Sequence, residues 1–284
     1  MHSLSRRRFL AAGMGTAAGA LLPGVSGSAY AAQAASPGLR IQRLSWAGMR
    51  LQAGANDLYI DPLLDRSVWG DALPGEMVAI DPPGEGDRFV LVTHRHPDHF
   101  DRLAATRALG DVGTFVCMPD AAAAATRAGF RVRIASLHEP LLLGDFTATA
   151  VPASDGYGDP QVSWVVSAAG RRILHGGDTM WHGSWWRIGR QFGSFDAAFL
   201  PINGARFGWL KPVSGVSAVL TPEQAVAAAA VIGARVLVPI HYGMKPSEDY
   251  REVDSPEAAL RSAARARSVR VQVIPPGGWL DWSA

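Results

Sequence analysis

The stretch Thr93-His94-Arg95-His96-Pro97-Asp98-His99-Phe100-Asp101 holds four potential metal ligands within six residues. It follows residues 88–93, a nearly continuous apolar run typical of a strand buried on both faces, and such strand-to-loop edges are where α/β proteins place their sites. The first two histidines are two residues apart, so in extended backbone they project to the same side. The proline then turns the chain and can direct Asp98 and His99 to a second point. Two imidazoles at one point, and a carboxylate with an imidazole at another, are typical of a pair of borderline metal ions such as Zn²⁺.

Short β-rich runs alternate with helical ones along the rest of the chain. Besides residues 88–93, the predicted strands cover residues 39–44, 58–60, 114–118, 131–134, 146–151, 162–167, 171–175, 197–202, 236–240 and 269–274. Hairpins are predicted near residue 50 and at Ala168-Ala169-Gly170. This alternation, without a linker rich in Pro, Gly or Ser, predicts one α/β sandwich with two mixed sheets inside and helices outside.

Three helix starts are indicated by capping residues. Asp120 can cap the alanine run 121–125, and Gly129 can end that helix. Thr221-Pro222-Glu223-Gln224 is a capping box with proline at the first helical position, and we expect that helix to stop at Gly233. Ser255-Pro256-Glu257 predicts a third start of the same kind.

The composition is that of a folded protein with a sizeable core, because 48% of the 284 residues are hydrophobic and 18% are charged. Intrinsic disorder is therefore excluded. The one cysteine, Cys117, excludes an intramolecular disulfide framework. The formal net charge of +2 would suggest an acidic partner, but the excess of positive charge lies at the N-terminus.

The N-terminus has the three-part plan of an export signal. Ser5-Arg6-Arg7-Arg8-Phe9-Leu10 opens an apolar run of about 14 residues, shorter than the roughly 20 that span a bilayer, and small residues follow up to Ala29-Tyr30-Ala31. The paired arginines resemble the twin-arginine version, which implies the twin-arginine translocation machinery as a partner. The alternative is an uncleaved arginine-rich tail on a cytoplasmic protein.

A cut after Ala31 would remove three of the 27 Lys and Arg and none of the 25 Asp and Glu, leaving a net charge of −1. We therefore predict a signal peptide over residues 1–31, one domain over residues 32–284 and an exported protein, whether periplasmic, extracellular or in the cell envelope. A near-neutral mature chain does not favour a nucleic-acid partner.

Four motifs, taken in order, resemble those of one known family. His94-x-His96-x-Asp98-His99 is similar to the signature of the metallo-β-lactamase fold hydrolases. Tyr59-Ile60-Asp61-Pro62 resembles that family's early strand ending in aspartate, Gly177-Asp178-Thr179 its Gly-Asp-Thr segment, and Pro239-Ile240-His241-Tyr242-Gly243 its late Pro-x-His segment. The resemblance covers about residues 38–280 and implies a four-layer αββα sandwich. Further stretches look most like the branch with ascorbate-phosphate lactonases and N-acyl-phosphatidylethanolamine phospholipase D.

The resemblance implies a binuclear metal site. One metal would take His94, His96 and a third ligand, and the other would take Asp98, His99 and His241, with Asp178 between them. Two divalent ions are implied, with Zn²⁺ favoured and Mn²⁺ or Fe as alternatives. A carboxylate such as Asp178 has two oxygens and can bind both cations, and water activated by the metals would attack the substrate.

One position departs from the family pattern. The family usually supplies the third ligand of the first metal as a histidine after a Val-Pro-x strand end, whereas this chain reads Val151-Pro152-Ala153-Ser154-Asp155-Gly156. Asp155 is the natural substitute, and a carboxylate shifts the preference towards harder ions such as Mn²⁺. His138 is a second candidate, and Asp155 could instead be a turn residue.

The remaining candidate residues lie around this site. Asp61 and Asp101 could orient ligand histidines, or could be a turn residue or a helix cap. Asp98 and His182 are the candidate catalytic residues, His182 as a proton donor or substrate ligand. Four tryptophans could form an apolar wall for an acyl or aromatic group, although at least two of them are expected to pack in the core: Trp181, Trp185, Trp186 and Trp209.

These observations together predict an exported metal-dependent hydrolase that cleaves an ester, lactone or phosphodiester bond of a small-molecule or lipid-like substrate. One alternative is a phosphodiesterase like N-acyl-phosphatidylethanolamine phospholipase D, for which Arg187, Arg190 and Arg206 would have to converge on a phosphate. The other is a non-catalytic metal-binding relative whose first site is altered at Asp155.

Overall fold

Two six-stranded mixed β-sheets form the centre of the structure, a computed structural model that describes residues 38–82 and 84–283. The predicted signal peptide, residues 1–31, lies outside the described residues. The first sheet has the order β1-β2-β3-β4-β5-β6. Its strands are β1 Arg40–Arg43, β2 Met49–Ala53, β3 Asn56–Ile60, β4 Arg88–Leu91, β5 Thr114–Cys117 and β6 Val132–Ile134. The first three strands are antiparallel, and β3 to β6 are parallel.

The second sheet has the order β13-β11-β10-β9-β8-β7. Its strands are β7 Pro140–Leu143, β8 Phe146–Pro152, β9 Val162–Ala168, β10 Arg171–His175, β11 Ala197–Pro201 and β13 Leu237–Ile240. Strands β10, β11 and β13 are parallel, and the others pair antiparallel. Ala169 and Gly170, with φ of 47° and 73°, form the predicted hairpin between β9 and β10. A short ribbon joins β12 Arg206–Phe207 to β14 Tyr250–Arg251.

Five helices cover the outer faces of the sheets: α1 Arg102–Leu109, α2 Pro119–Arg127, α3 Trp185–Phe192, α4 Pro222–Val231 and α5 Pro256–Arg267. Apolar side chains of α1 and α2 pack on the first sheet, those of α3, α4 and α5 pack on the second, and a third apolar cluster fills the space between the sheets. The predicted α/β sandwich is therefore confirmed, with four layers in the order αββα. Among the described residues, no helix is both long and apolar enough to cross a membrane.

Two of the three predicted helix starts agree with the structure, and one differs by two residues. Thr221 and Gln224 form the predicted capping box of α4. In contrast, α2 begins at Pro119, so Asp120 is a first-turn residue and not the cap. Helix α5 begins at Pro256 as predicted, with Ser255 at the N-cap. Ser255 makes no capping bond because its φ is 48°, whereas an N-cap side chain typically reaches the helix amides from extended backbone.

One predicted strand is wrong. Residues 269–274 form a single parallel bridge, between Val271 and Leu237. The main chain leaves the sheet there because the Ile274 carbonyl accepts a hydrogen bond of 2.6 Å from Arg43, and Gly277 and Gly278 then pair with the backbone of Arg43.

The strands that carry the predicted site all end at one edge of the sandwich. Strands β3 and β4 run parallel in the first sheet, and β8, β10, β11 and β13 share one direction in the second. The two edges are joined by hydrogen bonds of 3.0 Å from Val162 N to Thr93 O and from Trp164 Nε1 to Val92 O. The polar residues that follow these six strands are therefore brought together.

Candidate metal centre

The structure gathers the first four candidate ligands at the ends of β4, β8 and β10. Ligand atoms of His94, His96, Asp155 and Asp178 all lie within 4.8 Å of one another. His94 Nε2 is 2.8 Å from His96 Nδ1 and 3.6 Å from Asp178 Oδ1, and His96 Nδ1 is 3.7 Å from Asp155 Oδ2. Asp155, and not His138, thus occupies the third position beside the two histidines.

The second group consists of Asp98, His99 and His241, whose ligand atoms are again within 4.8 Å of one another. Asp98 Oδ2 lies 3.5 Å from His99 Nε2 and 3.6 Å from His241 Nε2. The other carboxylate oxygen of Asp178, Oδ2, is 4.0 Å from both imidazole nitrogens. Asp178 therefore lies between the two groups, with one oxygen facing each. Metal binding by these seven residues remains a prediction. Their positions agree with the predicted arrangement of two neighbouring metal ions.

Gly177 and Thr179 fix the loop that carries Asp178. Gly177 has a φ of 66°, and a Cβ atom there would lie 2.9 Å from Thr93 Oγ1, so only glycine allows this close approach. Thr179 Oγ1 accepts a hydrogen bond from Ser154 N and donates one to Ser154 O. These bonds join the Asp178 loop to the Asp155 loop and so fix the distance between two candidate ligands.

Asp61 orients one imidazole in each group. It is fully buried, and its Oδ2 is 2.8 Å from His99 Nδ1 and accepts a 2.7 Å hydrogen bond from Thr93 Oγ1. Because the Thr93 hydroxyl gives its only proton to Asp61, its oxygen can accept a bond from Nδ1 of His94, 2.9 Å away. Both imidazoles then carry their proton on Nδ1 and present a free Nε2 lone pair. The predicted orienting role of Asp61 agrees with this geometry.

A second chain of hydrogen bonds orients His241. Its Nδ1 is 3.1 Å from Asn203 Nδ2, which donates a 3.0 Å hydrogen bond to the Tyr250 hydroxyl. For His241 to present a free Nε2 lone pair to a metal, the amide must turn its oxygen, which has no partner among the described residues, towards Nδ1 so that Nδ1 keeps its proton. Tyr250 in turn donates to Glu252, whose carboxylate also accepts the backbone N–H groups of residues 243 and 244. Asn203 follows β11 at the same sheet edge as the candidate ligands, so the strand-end argument could have identified it from the sequence.

Two further contacts had no signal in the sequence. The indole N–H of Trp46 donates a 2.9 Å hydrogen bond to Asp98 Oδ2. Asp159 Oδ2 is 3.0 Å from His96 Nε2 and so holds the ring whose Nδ1 faces the other ligands. Trp46, Asp61 and His241 also share positive φ values of 58°, 46° and 56°, which are rare for non-glycine residues and tend to occur at functional sites.

Asp101 and His182 lie apart from the two groups. Asp101 is the N-cap of α1 and also accepts the backbone N–H groups of Leu64 and Asp65, so it does not orient a histidine. The His182 ring stacks on Trp185 at 4.5 Å, and its Nδ1 accepts a bond from Ser184 N. Burial lowers the pKa of His182 to about 4, so the ring is neutral at neutral pH and would donate only through Nε2–H. Its catalytic role remains a prediction.

The four tryptophans separate as expected. Trp185 is fully buried in the core, and Trp181 packs against the same cluster. Trp186 and Trp209 are 48% and 42% exposed. Two of the four are therefore core residues, and two are available at the surface.

Burial and charge act in opposite directions on the site histidines. Burial lowers the pKa of His94 to about 3, so this imidazole is neutral and can act as a ligand. Burial would also lower the pKa of His99, but the carboxylates of Asp98, Asp61 and Asp178 outweigh it and raise the pKa to about 10. The pKa of Asp98 is lowered by His99 and His241 despite its burial. These carboxylates favour positive charge at this position, and a divalent cation would supply it.

The donor atoms themselves fit such cations. Four buried atoms that face the centre have no hydrogen-bond partner among the described residues: His99 Nε2, His241 Nε2, Asp155 Oδ2 and Asp178 Oδ1. A buried polar atom without a partner costs about 1–3 kcal/mol, so four at one place indicate a missing binding partner. Imidazole nitrogen and carboxylate oxygen are ligands of Zn²⁺, Mn²⁺ and Fe.

Comparison with known proteins assigns the family. Residues 56–242, which include all seven candidate ligands, match the β-lactamase superfamily domain. The chain belongs to the metallo-β-lactamase superfamily. It is similar to a UPF0173 metal-dependent hydrolase of Rubrobacter xylanophilus, with 30% identity over 229 residues that cover 74% of this chain and 84% of the relative. The superfamily and the enzyme class predicted from the sequence, a metal-dependent hydrolase, are thus confirmed.

Two solved structures share the fold of this chain. Igni18, a metallo hydrolase of Ignicoccus hospitalis, has a TM-score of 0.64 at 20% identity over 85% of this chain and 97% of its own. CmlA, a diiron β-hydroxylase of Streptomyces venezuelae, has a TM-score of 0.65 at 15% identity over 86% of this chain and 53% of its own. Such low identities show the fold alone, and CmlA illustrates that the metallo-β-lactamase fold supports chemistry other than hydrolysis.

Proposed function

We propose that the chain is an exported hydrolase with two divalent cations that cleaves a carboxylic ester or lactone. The observation that carries this proposal is the pair of buried donor groups that share Asp178. Four of their donor atoms have no hydrogen-bond partner within residues 38–82 and 84–283. When bound, such cations supply Lewis acidity that activates water as a nucleophile and stabilises the negative charge that develops on the substrate. Zn²⁺ is the proposed metal, with Mn²⁺ or Fe as alternatives.

The residues of the chain divide the remaining work. His94, His96 and Asp155 would hold one cation, and Asp98, His99 and His241 the other. Asp178 would hold both, since its two oxygens face different groups. Asp61 fixes the tautomers of two imidazoles, and the Trp46 N–H fixes the rotamer of Asp98.

Ester or lactone cleavage is proposed over phosphodiester cleavage because no cation is dedicated to a phosphate. Arg187, Arg190 and Arg206 are exposed, and within residues 38–82 and 84–283 none of them is joined to a candidate ligand by a hydrogen bond or an ion pair. Arg95, inside the motif itself, lies 3.7 Å from Asp120. The proposed substrate is accordingly a small-molecule or lipid-like ester, and lactone or ester hydrolysis is favoured over the phospholipase D-like alternative.

Elemental analysis of the purified mature protein tests the centre directly. We expect about two equivalents of metal per chain, about one in Asp155→Ala, and two again in Asp155→His, which restores the family's imidazole. Asp111→Ala, in an exposed turn, is the matched control. Unchanged metal content in Asp155→Ala would show that Asp155 is no ligand and that the first site is wrongly assigned.

The type of bond is tested with three substrates: 4-nitrophenyl acetate, a simple γ-lactone and bis(4-nitrophenyl) phosphate. We expect turnover of the first two. Turnover of the phosphodiester alone would reverse the order of the two hypotheses, and two equivalents of metal without any turnover would favour the non-catalytic relative.

We also propose that residues 1–31 are a twin-arginine export signal, on the strength of Ser5 to Leu10 and the Ala29-Tyr30-Ala31 segment. In a fusion of residues 1–31 to a reporter, we expect Arg6→Lys with Arg7→Lys to block export. Arg8→Lys is the control and should export normally. Export of the double variant at the normal rate would exclude the twin-arginine route.

A further inference from the structure

Three aromatic side chains stack beside the candidate metal centre. The ring of Tyr157 lies edge-on to His96 at 5.3 Å, stacks on Phe207 at 4.8 Å and is 6.2 Å from Trp209. Phe207 and Trp209 are 4.6 Å apart. We call Tyr157, Phe207 and Trp209 the aromatic cluster. It reaches from a candidate ligand to the protein surface.

The cluster is built from two loops that touch each other. Tyr157 lies two residues after Asp155, whose Oδ1 accepts the Tyr157 backbone N–H. Gly156, between them, packs so tightly against Ala218 that a Cβ atom there would lie 2.3 Å from the Ala218 side chain. The loop that carries a candidate ligand is therefore held against residues 203–220, the segment that supplies the other two rings.

A small cavity of about 70 Å³ adjoins the cluster. It is lined by Gly156, Met180, Phe207, Leu210, Val216 and Ala218, together with two serines, Ser214 and Ser217. None of the residues that line it is charged. A cavity of this kind takes an uncharged, apolar group and would reject a phosphate or a carboxylate.

Core packing does not account for the cluster. Trp185, which does serve the core, is fully buried, whereas Tyr157 and Trp209 are 39% and 42% exposed. The neighbouring Leu210 and Val216 are 37% and 62% exposed. Contiguous exposed apolar side chains next to a polar site are typical of ligand-binding surfaces, and aromatic faces bind both flat rings and acyl chains.

We propose that the aromatic cluster binds the uncharged aryl or acyl group next to the bond that the metal centre cleaves, so that the substrate is an ester or lactone with an apolar side. This inference rests on the proposed function and adds the chemical class of its substrate. His96 positions the reacting end, and the cluster begins 5.3 Å from that ring. The cavity, of about 70 Å³, accommodates a chain of a few carbons. A phenyl ring, which takes a cavity of about 150 Å³, would lie on the exposed faces of the cluster.

A series of methyl esters, which carry no aryl group and whose hydrolysis is followed by proton release, tests the proposal. From acetate to butyrate and hexanoate, we expect kcat/KM of the wild-type protein to rise by up to about fourfold per methylene that becomes buried. Phe207→Leu and Trp209→Ala should lose most of this rise, so that the loss of kcat/KM is several-fold larger for the hexanoate than for the acetate. Trp279→Ala is the matched control, because Trp279 is also 36% exposed but stacks on Arg40. An unchanged rise in both cluster variants, or an equal loss on acetate and hexanoate, would overturn the proposal.

A binding measurement separates this inference from the proposed function. The neutral amide phenylacetamide is titrated into the protein as purified, and the indole N–H resonance that disappears in Trp209→Phe is followed by NMR. We expect a saturable shift of that resonance, and a loss of the shift in Phe207→Leu. If no ester is hydrolysed but the shift saturates, the proposed function fails and the apolar subsite stands. If esters are hydrolysed without any shift or chain-length preference, the subsite fails and the hydrolase stands.

Discussion

Replacement of Asp61 by asparagine should separate metal affinity from stability, because one side chain fixes two imidazoles. Asp61 Oδ2 faces both His99 Nδ1 and the Thr93 hydroxyl, while Oδ1 accepts the Thr93 backbone N–H at 2.8 Å. In Asp61→Asn, the amide keeps the bond to Thr93 N only if its NH₂ group points at His99. With the asparagine NH₂ group as donor, Nδ1 of His99 has to accept the hydrogen bond. The imidazole proton then lies on Nε2, and Nε2 no longer has a lone pair for the metal.

The same change reaches the first group through Thr93. Its hydroxyl would accept from the new amide and donate to His94 Nδ1, so that His94 also carries its proton on Nε2. To bind metal, each imidazole would then have to return its proton to Nδ1, which faces a hydrogen-bond donor and cannot donate to it. This costs about 1–3 kcal/mol of binding free energy per imidazole. We expect the affinity for the metal pair to fall by about 1,000-fold, as the sum of two penalties of about 2 kcal/mol each.

Comparison with Asp61→Ala separates the effect of the imposed tautomer from the effect of losing the hydrogen bonds. It removes the hydrogen bonds without imposing a tautomer, so we expect only the loss of about 10- to 100-fold that is usual for residues behind a ligand. Alanine tolerates the φ of 46° at this position less well than asparagine does, and it leaves Thr93 N unpaired. The alanine variant should therefore be the less stable of the two and the tighter metal binder.

Competition with a chromogenic chelator gives the metal affinities, and urea unfolding gives the stabilities. Opposite rank orders in the two assays are the expected result. If Asp61→Asn binds metal as tightly as Asp61→Ala, or more tightly, the tautomer argument is refuted.

Three further predictions concern capping, burial and the second orienting chain. Thr221→Ala should lower the free energy of unfolding by about 1 kcal/mol in urea titrations, whereas Ser255→Ala, which loses no capping bond, should change it little. The pKa of His182 is about 4 in the folded state and 6.5 when unfolded. As pH falls from 6.5 to 4, the wild-type protein should therefore lose on the order of 1–3 kcal/mol of unfolding free energy relative to His182→Phe. Parallel pH profiles of the unfolding free energy would contradict this. Asn203→Leu should weaken the metal held by His241 by about 10- to 100-fold, and two equally tight equivalents in that variant would show that Asn203 does not orient the ring.

The strands and the candidate ligands could be predicted because local signals coincide with the fold. Apolar runs fixed most strand positions within one or two residues, and a polar residue just after such a run lies at a sheet edge. That rule locates Asp61, Asp155 and Asp178, and it also applies to Asn203, which the sequence reasoning left out. Residues 269–274 were wrongly predicted because an apolar run alone does not show that the Ile274 carbonyl is bonded to Arg43.

The contacts that the sequence could not predict are those made across the fold. Trp46 reaches Asp98 from 52 residues away, and Asp159 reaches His96 from 63 residues away. Neither has a fixed spacing from its partner, because the approach depends on how loops pack after the sheets have formed. Asp101 shows a different limit of the sequence. An aspartate just after a strand can either cap a helix or orient a ligand histidine, so residue type and position alone do not distinguish the two roles.

In the proposed centre, Asp155 would connect the metal preference to the choice of substrate. With Asp155 in place of the family's histidine, each half of the centre has two imidazoles, one carboxylate of its own and the shared Asp178, so that harder divalent ions become better competitors of Zn²⁺. Asp155 Oδ1 is bonded to the backbone N–H of Tyr157, which leaves only Oδ2 free for a metal. That same bond sets the turn that directs the Tyr157 ring between His96 and Phe207. A histidine at position 155 would supply the usual nitrogen ligand but lose the oxygen that accepts this N–H, so metal preference and the apolar subsite should change together.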